Sequence, residues 1–169
     1  MPQFKPLPPL QRIQELLAYD PATGKLYWRQ PVARWIQAGD EAGTHVKHAI
    51  DVTIDRKTYR AHRIIWMLQT GKDPGSNIID HVDGNFYNNV FSNLRLATSR
   101  QNQCNQKKRC DNTSGLKGVS WSKERNKWQS GIQINGKRIA LGRFDTKEEA
   151  YAAYCEAARR LHGEFARLD

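Results

Sequence analysis

The chain has 169 residues and a mass of 19.5 kDa, a size that fits one compact domain or two small ones. Its 27 Lys and Arg outnumber its 17 Asp and Glu, and the net charge of +10 favours a polyanionic partner, nucleic acid before an anionic membrane surface. No apolar run approaches the ~20 residues of a membrane span, no signal peptide is evident, and 3 cysteines cannot pair off completely, so we expect a reducing, cytoplasmic location.

The first segment, residues 1–77, is predicted to be a small β-rich region. Asp20 to Gly24 has the composition of a turn, and apolar residues alternate with polar ones at 50–55, which is typical of a half-buried strand. The three tryptophans Trp28, Trp35 and Trp66 are expected to pack in the core, and His62 is expected to be structural. The predicted elements are a helix at 10–17, strands at 25–29 and 50–54, a hairpin return at 58–61 and a helix around 64–68 that Gly71 ends.

The second segment, residues 78–110, gathers polar side chains around a predicted strand, loop, strand and helix. Ile78 and Ile79 lead into Asp80 and His81, and a helix is predicted from 98 toward 108. A carboxylate and amide oxygens suit a hard cation such as Mg²⁺, and a histidine with a pKa near ~6.5 suits a general base. This chemistry fits phosphodiester hydrolysis. In the alternative interpretation, the asparagines form turns and His81 lies on the surface without a catalytic role.

The third segment, residues 111–169, is predicted to be a three-stranded antiparallel sheet packed on one helix. Asn135-Gly136 is a strong hairpin signal, and Thr146 with Glu149 forms a capping box before a helix that Gly163 ends. Trp128, Ile132, Ile134, Ile139 and Leu141 share the parity that would pack on the helix stripe Ala150, Ala153, Tyr154, Ala157, Ala158 and Leu161.

The opposite face of this sheet is predicted to bind nucleic acid. Between Lys117 and Arg143 there are 7 basic residues and 1 acidic residue, whereas residues 144–169 carry 4 basic and 6 acidic residues. Lys and Arg bind phosphates, and Gln or Arg can reach base edges. A solvated sheet face with incidental charges is the alternative.

The stretch from 78 to about 106 resembles the nuclease motif of HNH endonucleases, in particular the phage and intron-encoded homing branch. The resemblance implies that His81 is the general base, that Asp80 is a metal ligand and that Asn93 orients the histidine. It places the second metal ligand on Asn102, with Asn105 as the alternative, and an amide oxygen there favours hard divalent cations. It also implies a strand, strand and helix arrangement around the metal.

Residues 112 to 169 resemble the Apetala-type domain of plant ethylene-response transcription factors. The matching stretches include Leu116-Lys117-Gly118-Val119 and Leu141-Gly142-Arg143-Phe144. That family lays its sheet in the major groove, which implies contacts from Lys117, Ser120, Trp128, Gln133 and Arg138. We add the basic residues Lys123 and Arg125 of the sheet, and expect phosphate contacts around the nuclease motif from Arg95, Arg100, Lys107 and Lys108.

The sequence therefore predicts an α+β protein whose β-rich start leads into an HNH motif at 78–110 and an Apetala-type domain at 111–169. The function expected is a site-recognising, homing-type DNA endonuclease, monomeric on double-stranded DNA, that uses one Mg²⁺ or Mn²⁺ per active site. We expect a nick with 5′-phosphate and 3′-hydroxyl ends. No structural zinc is expected without paired CxxC motifs. The alternatives are an inert DNA-binding regulator and a nonspecific nuclease.

Overall fold

Residues 5–106, 108 and 111–168 are described by the structure, a computed structural model. They divide into a first unit up to Thr98 and a second unit from Ser99. Lys107, an expected phosphate contact, lies outside the described residues.

The first unit combines two helices with three small antiparallel sheets. The prediction missed two of its strands, because 17–20 was interpreted partly as the end of a helix and 44–46 has no clear alternation. In chain order the elements are α1 (Leu10–Leu16), β1 (Leu17–Asp20), β2 (Lys25–Trp28), β3 (Thr44–Val46), β4 (Ala49–Ile54), β5 (Lys57–Arg60), α2 (Ala61–Thr70), β6 (Ile78–His81) and β7 (Leu94–Ala97). A short 3-10 helix, Phe91–Asn93, precedes β7.

The turns of this unit follow the chemistry of their residues. The Asp20 carboxylate accepts hydrogen bonds from the Ala22 amide at 2.9 Å and the Thr23 hydroxyl at 2.6 Å, which closes the β1–β2 turn. The β4–β5 hairpin turns through Asp55 and Arg56, both with positive φ. Gly71 ends α2 in the left-handed conformation with φ of 72°, as the sequence predicted.

One apolar core connects the β-rich start to the β6–β7 hairpin. Ile13 of α1 and Ile64 of α2 are fully buried in it, and Ile79 of β6 and Leu94 of β7 pack into the same cluster. Trp28 is buried as expected, but the expectation for Trp35 was wrong, because its side chain is 81% exposed. The core therefore supports the hairpin whose β6 ends in Asp80 and His81.

The second unit begins with α3 (Ser99–Cys104) and continues with a sheet packed on one long helix. Its strands are β8 (Val119–Ser122), β9 (Lys127–Ile134) and β10 (Lys137–Phe144), antiparallel in the order β10-β9-β8, followed by α4 (Lys147–His162). The β9–β10 hairpin turns at Asn135-Gly136, both with positive φ. The predicted helix after Thr98 ends earlier than expected, at Cys104.

Helix α4 has the predicted cap and most of the predicted apolar stripe. The Glu149 amide donates to the Thr146 hydroxyl at 3.2 Å, and the Thr146 amide donates to the Glu149 carboxylate at 3.3 Å. Tyr154 is buried against Ile132 of the sheet, but Leu161 is 43% exposed and Cys155 is buried in the cluster instead. Ile139, on an edge strand, is also exposed at 45%, contrary to the prediction.

Among the described residues, even α4 with its 16 residues is too short and too polar to cross a bilayer.

Candidate active site and nucleic-acid interface

The β6–β7 hairpin presents the two residues of the candidate active site at the end of β6. Asp80 is paired with Arg95 across the hairpin, and His81 is paired with Leu94. Because side chains alternate along a strand, Asp80 and His81 leave opposite faces of the hairpin. Both are nearly buried, at 5% and 4% exposure, so neither resembles a solvated surface residue.

The His81 ring is held by an asparagine of the loop that follows. His81 Nε2 lies 2.9 Å from the Asn89 side-chain oxygen Oδ1, and Asn89 is 1% exposed. An amide oxygen can only accept a hydrogen bond, so this contact places the imidazole proton on Nε2. In that tautomer the lone pair able to accept a proton is on Nδ1.

The position of Asn89 is set by residues near the start of the chain. The Tyr19 hydroxyl donates to the Asn89 backbone oxygen at 3.2 Å and accepts from the Phe91 amide at 2.9 Å. Gly24 lies against the same backbone, because a Cβ built on it would come within 2.4 Å of the Val90 nitrogen. The β1–β2 turn therefore supports the loop segment that orients His81.

Asn93, which the resemblance assigned to orienting the histidine, makes other contacts. Its side-chain oxygen accepts from the Asp83 amide at 3.0 Å, and its side-chain nitrogen donates to the Asp83 carboxylate at 3.0 Å and to the Asn88 backbone oxygen at 2.8 Å. Asn89 is a direct partner of the imidazole, whereas these contacts of Asn93 close the loop between β6 and β7.

Asp83 is the centre of this loop closure. Partial burial acts to raise the pKa of its carboxyl, but hydrogen bonds from the Asn85 amide, Asn88 and Asn93 outweigh burial, and the pKa is lowered below its usual value. The loop therefore carries a charged aspartate near His81 at neutral pH.

Asp80 makes an ion pair within the hairpin. The Arg95 guanidinium donates to one carboxylate oxygen of Asp80 through Nε at 2.9 Å and Nη2 at 2.8 Å. Arg95 was expected to contact a phosphate, but the structure places its guanidinium on the carboxylate. The pair orients Asp80 and offsets the cost of burying its charge.

The other nuclease-motif residues lie on or beyond α3, in the second unit. Asn102 is partly exposed on the helix, and Asn105 follows it and is 7% exposed. Arg100 is exposed, and Lys108 donates to the Gly115 backbone oxygen at 2.9 Å. Across the described ranges, no three His, Cys, Asp or Glu side chains form a cluster able to hold a metal ion. A cation site would therefore depend on one carboxylate with amide oxygens and water, which is a donor set that fits a hard divalent cation.

The face of the β8–β10 sheet opposite Ile132, here called the open face, is polar and has small residues at its centre. Across the ladder, Gln133 pairs with Arg138 and Gly131 pairs with Ala140, all on the face opposite Ile132. The Arg138 guanidinium lies over Gly131, since a Cβ there would come within 2.8 Å of Nε. The open face consists of Ser120, Gln129, Gly131, Gln133, Arg138, Ala140 and Arg143.

The sequence did not predict Arg143 as a residue of the open face, because a β-bulge moves its side chain from the helix side of the sheet to the open side. Strict alternation along β10 puts Arg143 on the side of Ile139, which pairs with Ile132 toward the helix. The register shifts between Ala140 and Gly142, and Arg143 then pairs with Gln129 on the open face. Gln129 was placed on this face from the sequence but not named as a contact.

The remaining predicted DNA contacts of the sheet have three different placements. Lys123 and Arg125 are exposed in the β8–β9 turn, and Ser120 is partly exposed on the open face. Trp128 is on the opposite face, with its ring edge-on to Trp121 at 5.1 Å between centroids. Lys117 is partly buried, and its ammonium donates to backbone oxygens within the second unit.

Comparison with known proteins matches two successive stretches of the chain to two families. Residues 59–104 match the model of an HNH endonuclease, and residues 114–164 match that of an AP2 domain. Protein 3.8 of Escherichia phage T7 is 42% identical over 112 residues, which are 66% of this chain and 92% of that protein. An uncharacterized HNH endonuclease of Acanthamoeba polyphaga mimivirus is 35% identical over 121 residues, 71% of this chain and 62% of that protein.

The chain belongs to the HNH endonucleases. Its DNA-binding AP2 domain follows the nuclease motif, in the order that the sequence predicted. HNH endonucleases generally use a divalent metal ion. No solved structure shows significant similarity to the chain.

A second histidine lies beside the general-base candidate of this HNH endonuclease. His62, near the start of α2, is edge-on to His81 with 5.4 Å between ring centroids and an interplanar angle of 89°. Burial lowers the pKa of His62 to about 3, and electrostatic interactions with His81 and Arg63 lower this pKa further. His62 is therefore neutral at physiological pH and packs against the imidazole of His81.

This burial makes the folded enzyme sensitive to acid. Between its ordinary pKa of ~6.5 and about 3, His62 takes up a proton when unfolded but not when folded, so stability falls as pH falls. We expect acidification through that window to destabilise the wild type relative to His62→Gln by about 1 kcal/mol per pH unit. Urea unfolding followed by circular dichroism at several pH values measures the difference. The reference is about pH 8, where His62 is neutral in both the folded and the unfolded chain. Parallel pH dependences of the two proteins would contradict it.

Proposed function

We propose that the chain is a homing-type endonuclease that nicks double-stranded DNA as a monomer, with Mg²⁺ or Mn²⁺, in the cytoplasm of the host cell. The observation that supports it most strongly is the His81–Asn89 contact at 2.9 Å, because a buried imidazole with its proton fixed on Nε2 can act as a base through Nδ1. The sheet face with Arg138 and Arg143 would recognise the target.

In the proposed reaction His81 accepts a proton from water, and the resulting nucleophile attacks the scissile phosphorus in line with the 3′ oxygen. The products bear 5′-phosphate and 3′-hydroxyl ends. Asn89 keeps the ring in the reactive orientation, and Asn93 maintains the loop that holds Asn89.

Asp80 and Asn102, with Asn105 as the alternative to Asn102, are proposed to hold the cation. When bound, a hard divalent cation stabilises the extra negative charge of the transition state and of the departing 3′ oxygen. Arg95 keeps Asp80 oriented before the cation binds, since its Nε and Nη2 atoms both donate to one carboxylate oxygen.

Metal dependence is tested with supercoiled plasmid and Mg²⁺, Mn²⁺ or EDTA. We expect conversion to open circles with either cation and no conversion with EDTA, because the proposed transition state needs the cation. DNA ligase should seal the open circles without prior treatment of their ends, as 5′-phosphate and 3′-hydroxyl termini allow.

Each departure from this result contradicts a different part of the proposal. Cutting in EDTA would exclude the metal, and ends that ligase cannot seal would exclude the proposed products. Linear DNA formed without an open-circle intermediate would exclude nicking by a monomer. Nicks mapped at random positions on a long substrate would indicate a nonspecific nuclease instead of a homing-type enzyme.

A further inference from the structure

Lys117 is the residue for which the structure and the family resemblance differ most. The resemblance makes it a DNA contact, but its Nζ donates to the backbone oxygens of Cys104 at 3.1 Å, Gln106 at 2.6 Å and Arg167 at 3.1 Å. An ammonium group has three protons, and here three carbonyls accept them. The side chain is thus engaged within its own unit.

The Cys104 carbonyl belongs to the last residue of α3, and the Gln106 carbonyl lies two residues beyond the end of the helix. The last carbonyls of a helix have no partner within it, and this end carries partial negative charge, so a lysine there stabilises the helix. Helix α3 has only 6 residues, which is too short to be stable without tertiary contacts. A second contact comes from α4, where His162 Nδ1 lies 3.3 Å from the Cys104 thiol.

Asn102, the proposed metal ligand, is two residues before Cys104 on this short helix. We propose that Lys117 is a positioning residue that fixes α3, and with it Asn102, for metal binding, and that it does not contact DNA. The inference rests on the proposed function, since it takes Asn102 as a ligand. It means that the AP2 domain both binds DNA and fixes helix α3.

Two measurements distinguish a positioning residue from a DNA contact. Groups that orient metal ligands change metal affinity about 10- to 100-fold when they are removed. A lysine that neutralises a phosphate changes the slope of log affinity against log salt by about one. The test is therefore the metal concentration for half-maximal plasmid nicking, together with the salt slope of DNA binding, in each variant.

We expect Lys117→Met to raise the half-maximal Mg²⁺ concentration about 10-fold or more and to leave the salt slope unchanged. Lys117→Arg, which retains the charge and the donors, should restore most of the metal affinity. The matched control is Arg138→Met on the open face, for which we expect a lower salt slope by about one if it binds a phosphate, and an unchanged metal requirement. An unchanged metal requirement in Lys117→Met, or a reduced salt slope, would overturn the inference.

A measurement on the wild type covers the case in which Lys117→Met does not fold. Acetylation of lysines with and without long double-stranded DNA, read by mass spectrometry, should leave Lys117 slow in both samples, whereas the exposed Lys123 reacts readily in the free protein. A Lys117 that reacts in the free protein and is protected by DNA would overturn the inference. If the wild type does not nick plasmid with any cation, the proposed function fails, but the acetylation result still decides whether Lys117 contacts DNA.

Discussion

Replacing His81 with alanine is expected to lower the rate of plasmid nicking about 1000-fold or more while DNA affinity stays unchanged. A positioned general base contributes about 10²- to 10⁴-fold to a rate, and Asn89 holds the buried imidazole of His81 in one orientation. The measurements are nicking under single-turnover conditions with saturating metal, and DNA binding by fluorescence anisotropy.

His45→Ala is the matched control, because His45 is an exposed histidine of the same unit. Its nicking rate should equal that of the wild type. Asn89→Leu removes the acceptor of the His81 proton at similar size, and we expect a smaller loss, about 10- to 100-fold, because the base remains but its tautomer and orientation are no longer fixed. Nicking by His81→Ala at a rate near that of the wild type would exclude His81 as the base.

Gly24→Ala is expected to reduce the free energy of unfolding of the first unit by about 4 kcal/mol. About 1 to 2 kcal/mol comes from placing a side chain at a φ of 73°, and the rest from overpacking against the Asn89–Val90 peptide, where the new Cβ would lie 2.4 Å from the Val90 nitrogen. Urea unfolding followed by circular dichroism measures the loss.

Gly71→Ala separates the two contributions. Gly71 has nearly the same φ, 72°, but a Cβ there would have no atom within 4 Å. We expect it to cost only about 1 to 2 kcal/mol, the strain of the left-handed conformation. Equal losses in the two variants would mean that the close approach of Gly24 to the loop does not contribute to stability.

Local sequence signals predicted much of the fold because they act over a few residues. The Thr146 capping box, the Asn135-Gly136 hairpin and the end of α2 at Gly71 were each confirmed. Features that depend on distant parts of the chain were missed or wrong. The bulge after Ala140 reverses the face of Arg143, and Trp35 is exposed in a loop whose path has no periodicity.

The candidate site shows the same limit. The sequence and the resemblance placed Asp80 and His81 at the end of a strand, but they could not show which asparagine of the loop reaches the imidazole. That choice depends on where the β1–β2 turn holds the loop, through the Tyr19 hydroxyl and the close approach of Gly24. The role of Lys117 was also hidden, because its three carbonyl partners are separated from it by 11 to 50 residues along the chain.

Tyr19 lies outside the 59–104 stretch that matches the HNH endonucleases, yet its hydroxyl bonds to the loop that holds His81. That stretch cut out and grafted onto another protein would bring His81 and Asn89 without the tyrosine that holds Asn89 in place. The smallest transplantable nuclease of this kind therefore begins no later than Tyr19.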